Sequence, residues 1–121
     1  MSSDEKKAFL LLKSLILSFH GLTDDEKAML EDTAANIDGQ EELKWVLDFI
    51  NEDIYTAFER ARVFFNTTIA TYDNSKKLEY LQIAWDANSS KGHITEMEAT
   101  AMLKLARDWG VQRDLLTLVR K

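Results

Sequence analysis

Asp86-Ala87-Asn88-Ser89-Ser90-Lys91-Gly92-His93-Ile94-Thr95-Glu96-Met97-Glu98 joins an oxygen-rich loop to a clear helix start, and its reading decides how the chain folds. Two interpretations compete for it. Gly92, Ile94 and Glu98 stand at the spacing by which an EF-hand loop places its turn glycine, its buried aliphatic and its closing bidentate glutamate. Counting back from Gly92, however, puts Ala87 where the first carboxylate belongs and Lys91 where another oxygen ligand belongs. The alternative is a turn followed by a capping box. Thr95 then accepts the Glu98 amide, Glu98 reaches back to the Thr95 amide, and Ile94 with Ala99 forms a weak hydrophobic staple.

The segment has an echo. Gly21-Leu22-Thr23-Asp24-Asp25-Glu26 parallels Gly92 to Glu98 with one residue fewer, and Ala28-Met29-Leu30 is identical to Ala101-Met102-Leu103. The capping threonines align at an offset of 72 and the Ala-Met-Leu pair at 73. Two related helical units are therefore expected, and no solenoid, because such arrays need about three or more repeats.

Outward from these starts, the chain reads as helix after helix. Ser2 or Ser3 caps a first helix to about Phe19, stopped at Gly21, and a second follows Thr23 and ends at Asp38-Gly39. Leu43, Val46, Leu47, Ile50 and Ile54 continue at steps of three and four, as do Phe58, Ala61, Phe65, Ile69 and Tyr72. That run is too long for one ordinary helix, so a bend near Asn51-Glu52-Asp53 is expected, with about 12 residues before it and about 20 after. Trp45, Phe58, Phe64 and Phe65 are assigned to the core. Asp73-Asn74-Ser75 caps the next helix, whose Leu78, Leu81 and Trp85 share a face. Trp109-Gly110-Val111 reads as a Schellman stop, and Leu115, Leu116 and Val119 make a short last helix. The expected fold is all-α, one domain over residues 1–121, a compact bundle of six or seven helices arranged as two pseudo-symmetric units.

Composition agrees. The 121 residues include no proline, no cysteine and four glycines, so helices run uninterrupted and any metal must be held by oxygen or histidine. Net charge is −6, spread as −8 over residues 1–60 and +2 over residues 61–121. With no long basic run, nucleic acid is not an expected partner. Lys6 and Lys7 precede an apolar stretch, but Asp4 and Glu5 offset them, Lys13 splits the stretch and no small-residue cleavage site follows. A core helix of a cytoplasmic protein is expected, with no insertion into a membrane.

For chemistry, Asp86 and Glu98 with Asn88, Ser89 and Ser90 make an oxygen set suited to Ca²⁺, Mg²⁺ or Mn²⁺. The capping box makes a rival claim on Glu98. His20 and His93 occupy corresponding loop positions and would form a transition-metal site if the two loops packed together. Asp24, Asp25, Glu31, Asp32, Asp38, Glu41 and Glu42 make the first half acidic, a face for a basic partner or for solvent. No phosphate loop, nucleophile elbow or helix-borne histidine pair is present, so no enzyme is expected.

Ala84-Trp85-Asp86, Gly92 to Glu98, Leu105-Ala106 and Trp109-Gly110-Val111 together resemble the TerB-like family of tellurite-resistance proteins. Its repeated signature is an Asp-Gly turn, an aliphatic residue, Ser or Thr, and Glu three residues later. Gly92, Ile94, Thr95 and Glu98 match it, as do Gly21, Leu22, Thr23 and Glu26 with one residue deleted. The resemblance implies two related helical units, an acidic surface that in some members binds divalent metal, and a role in stress response or a membrane-associated complex. Where the family often has Asp before the glycine, this chain has Lys91 and His20, which leaves Asp86, Glu98, Glu26 and Asp24 as candidate ligands. The expectation is a non-enzymatic TerB-like domain binding a divalent cation through loop acids; the alternative is a metal-free adaptor for an unknown protein partner, using its acidic face.

Overall fold

The computed structural model describes residues 2–17, 23–89 and 94–119 and is all-helical there. Seven helices follow in order: α1 (Ser3–Leu17), α2 (Asp24–Asn36), α3 (Gln40–Glu52), α4 (Ala57–Thr68), α5 (Asn74–Ser89), α6 (Glu96–Asp108) and α7 (Gln112–Val119). Ser2 caps α1 by accepting the Glu5 amide at 3.1 Å, and Asp73 caps α5 by accepting the Lys76 amide at 2.8 Å. The expected stop of α1 at Gly21 lies outside the described residues.

Helix α1 occupies the centre because it is apolar almost all round. Ala8, Leu10, Leu11, Leu12 and Leu15 are buried, as is Ser14, whose hydroxyl donates to the Leu10 carbonyl at 2.7 Å. A helix buried over most of its circumference needs neighbours around most of it. It packs against α2, α3, α4 and α5, whose buried residues include Leu30, Val46, Phe65 and Leu81.

The bend after α3 is sharper than a kink. Glu52 ends that helix, residues 54–56 form a turn, and Ile54 stands exposed instead of continuing the apolar face. Helix α4 is also shorter than its apolar spacing predicts, 12 residues ending at Thr68. Thr67 and Thr68 with Ile69 make a β-branched run, and the Thr67 and Thr71 hydroxyls bond the Phe64 and Thr68 carbonyls, which favours leaving the helix. Of the four aromatics assigned to the core, Phe65 alone is fully buried; Trp45, Phe58 and Phe64 pack half-buried against its edge. Trp45 sits 5.3 Å from Phe64 with the Lys7 ammonium over its ring, while Phe65 meets Trp109 edge-on at 5.8 Å.

The same series of events occurs twice. A threonine capping box opens α2 at Thr23 and α6 at Thr95. Both helices run 13 residues and end in a Schellman motif, with Gly39 N–H bonded to the Ala34 carbonyl at 2.7 Å and Val111 N–H to the Ala106 carbonyl at 2.8 Å. The left-handed residues are Asp38 and Gly110, at φ 54° and 76°. Helices α3 and α7 start two residues later, at Gln40 and Gln112. Every one of these pairs is separated by 72 positions. In each unit, α1–α3 and α5–α7, all three helices touch one another, and α4 links the units through contacts to α1, α3 and α6.

Long-range polar contacts tie these layers. Arg62 on α4 makes a two-toothed pair with Asp108 on α6, at 2.7 and 2.9 Å, and also holds Glu59. Glu5 on α1 accepts the Tyr80 hydroxyl at 3.3 Å and pairs with Lys76 at 3.3 Å, while Tyr72 stacks edge-on against Tyr80. Burial, then the adjacent Glu5 carboxylate, pushes both phenols above their ordinary value. Lys77 donates to the Trp109 carbonyl at 3.0 Å and so holds the end of α6 against α5.

Two tests follow from the stops and from the tyrosines. Asp38→Gly keeps the Lys6 bond to the residue 38 carbonyl and relieves the left-handed backbone, so denaturant unfolding should show a gain of about 0.5–1 kcal/mol. Gly110→Ala, with open space around the added methyl, should lose about 1–2 kcal/mol from backbone conformation alone. A phenol whose folded pKa is raised contributes stability that is complete below about pH 10, the unfolded value, and is lost as pH rises above it. Thermal unfolding from pH 8 upward should therefore fall more steeply for the natural chain than for Tyr80→Phe.

Candidate functional site

The two capping boxes place the candidate carboxylates. Thr95 is extended, at φ −72° and ψ 160°, and its Oγ1 accepts the Glu98 amide at 3.2 Å. Glu98 Oε1 accepts the Thr95 amide at 2.9 Å, and the whole side chain is buried. In the first unit, Thr23 Oγ1 accepts the Glu26 amide at 3.1 Å and Glu26 Oε1 accepts the Thr23 amide at 2.9 Å, with Glu26 partly exposed. One oxygen of each glutamate is thus committed to a backbone N–H at a helix start, where the dipole also favours negative charge.

Asp24 is exposed in the first turn of α2. Asp86, in the last turn of α5, is exposed and accepts the Gln82 side-chain amide at 2.8 Å. Residues 18–22 and 90–93 lie outside the described residues, so the expected meeting of His20 with His93, and the turns at Gly21 and Gly92, are not part of this geometry. Among the described residues, no three histidines or acids come together in a group that could hold a metal ion. The capping glutamates therefore have a structural purpose wherever Asp86 and Asp24 are employed.

Two open grooves bring other side chains together. The first lies between α2 and α3, about 340 Å³, with Ala34, Leu43 and Leu47 as its apolar floor and Glu31, Asp48 and Lys44 at its rim. The second, about 400 Å³, lies between α4 and α6, where Phe58, Met97 and Ala101 are flanked by Glu96, Thr100 and Lys104. Helical spacing marks Leu43 and Leu47 as one face, and the acidic pattern marks Glu31, but pairing them needs the α2–α3 turn. The second groove has no sequence signal except Met97, an apolar residue in the first turn of a capped helix, 59% exposed.

Among the described residues no helix is long and apolar enough to cross a membrane. Comparison with protein-family models, with curated proteins and with solved structures returns no match to this chain.

The two capping boxes differ in burial, and that difference is measurable. Glu26→Ala removes a partly exposed cap and should cost about 0.5–1 kcal/mol, whereas Glu98→Ala also empties a buried site and should cost about 2–3 kcal/mol. Equilibrium urea unfolding of both variants compares them directly. Equal losses would mean that burial of Glu98 adds nothing to the cap.

Proposed function

We propose that this chain is a non-enzymatic, TerB-like helical interaction module of a stress-response or membrane-associated complex, and that its acidic first half receives a basic segment of a partner protein. The observation that carries this reading is the groove between α2 and α3. An apolar floor of Ala34, Leu43 and Leu47 beneath a rim in which Glu31 and Asp48 outnumber Lys44 suits an amphipathic partner helix with lysine or arginine beside its apolar stripe. Exposed Asp24, Asp25, Asp32 and Glu41 extend the same sign of charge along α2 and the start of α3, which speeds encounter with a basic partner.

A second reading keeps the divalent cation. Asp86 is exposed in the last turn of α5, and Asp86 and Glu98 in the second unit, or Asp24 and Glu26 in the first, would offer oxygens to Ca²⁺, Mg²⁺ or Mn²⁺ as separate sites. The engagement of Glu98 and Glu26 in capping boxes favours the metal-free reading, because each would have to serve a backbone amide and a cation together.

Both readings are separable. Capture from lysate on the immobilised chain should retain a partner at low salt, lose it at high salt, and lose it in the Glu31→Lys/Asp48→Lys variant. Retention by that variant would overturn the use of this groove. Titration of Ca²⁺, Mg²⁺ and Mn²⁺ into isotope-labelled protein should leave the amides of residues 23–26 and 86–98 unmoved below millimolar cation; shifts there would restore the cation as the ligand.

A further inference from the structure

The groove between α4 and α6 has a charge pattern that the acidic-face reading does not use. Glu96, Thr100 and Lys104 follow one another at four-residue steps along α6, all exposed, so they form one ridge of the helix. The ridge carries a negative charge at its first position, a positive charge at its last and a small uncharged residue midway. Glu96 and Lys104 take part in no ion pair among the described residues. Beside the ridge lie Met97, 59% exposed, then Ala101 and the half-buried ring of Phe58.

Such a pattern is complementary to itself when reversed. Laid antiparallel about Thr100, a second α6 sets its Lys104 opposite Glu96 and its Glu96 opposite Lys104, since both lie four residues, about 6 Å, from the centre. A two-fold interface requires this property, because the same patch must serve both sides. Thr100 and Ala101 at the crossing are small enough for helix axes to approach to about 8–10 Å. Met97 and Phe58 then lose water beside the crossing, and Met97 can adapt to the facing surface.

We propose that the α6 ridge is a homodimer interface in which two copies of this chain pack antiparallel about Thr100, with Glu96 of each copy paired to Lys104 of the other. The pairs are solvent-accessible and set register and orientation, while the apolar residues beside them supply most of the attraction. The interface lies on α4 and α6 and leaves the α2–α3 groove open.

Sedimentation velocity over rising protein concentration tests the proposal. The natural chain should pass from monomer to dimer, and added salt should weaken the dimer. Glu96→Lys and Lys104→Glu should each weaken association by about tenfold or more, because each creates two like-charge contacts. The double variant Glu96→Lys/Lys104→Glu should recover the natural affinity. Glu96 is in the first turn of α6, so thermal unfolding accompanies each variant; Lys104, mid-helix and away from the cap, provides a reversal that leaves the cap intact. The absence of cysteine from the chain allows a second readout. Thr100→Cys lies on the two-fold axis and should cross-link to its own copy under mild oxidation, whereas Asp32→Cys on α2 should not. A chain that stays monomeric at millimolar concentration overturns the proposal. So does a dimer indifferent to both reversals, a double variant that fails to recover, or a Thr100→Cys variant that does not cross-link.

Discussion

Burial of α1 is the constraint on which the other helices depend. Ala8, Leu10, Leu11, Leu12 and Leu15 point in several directions from one short helix, and each large aliphatic contributes about 1.5–3 kcal/mol once removed from water. No single layer could cover them. Helices α2 to α5 therefore surround α1, and α6 and α7 join through α5 and α4. Ser14 is accommodated inside this apolar setting because its hydroxyl bonds the carbonyl one turn back, which satisfies its donor.

Around that centre the chain uses one design twice: a capped helix, a left-handed stop and a helix that starts two residues after the stop. The repetition is structural before it is chemical. Glu26 and Glu98 hold equivalent places, yet one is partly exposed and the other fully buried, and Asp38 does with a side chain what Gly110 does without one. Gly39 is small for a different reason, since a methyl there would approach Ile37 at 3.2 Å and Leu10 at 3.4 Å. The units also diverge in charge: the α2–α3 groove carries Glu31 and Asp48 beside Lys44, and the α6 ridge carries Glu96 and Lys104.

Much of the architecture was legible from local chemistry. Both capping boxes, the Trp109-Gly110-Val111 stop and the caps at Ser2 and Asp73 depend on residues within a few positions of one another, and all occur as read. Apolar spacing alone misled where it ran past a terminus: Ile54 keeps the three-to-four step of α3, but the helix has ended at Glu52. The Ala-Met-Leu identity misled in the same way, because at 73 it aligns buried Leu30 with half-buried Leu103, whereas 72 aligns Leu30 with Met102, both buried. For the candidate site, sequence placed Glu98 and Glu26 in their capping roles but could not weigh them against a ligand role, since burial and the distances among Asp24, Glu26, Asp86 and Glu98 depend on packing.

By itself, then, the sequence determined where the capped helices start, where α2 and α6 stop, that helices are all the structure the described residues contain, and that the first half is acidic, because caps, turns and charge balance are set by neighbours in the chain. Tertiary structure alone decided that Arg62 would meet Asp108 and Tyr80 would meet Glu5, pairs 46 and 75 positions apart. It also decided which carboxylate is buried and which grooves open between helices. The physical reason is that these outcomes follow from how helix faces share the surface of α1, and no window of local sequence contains that competition.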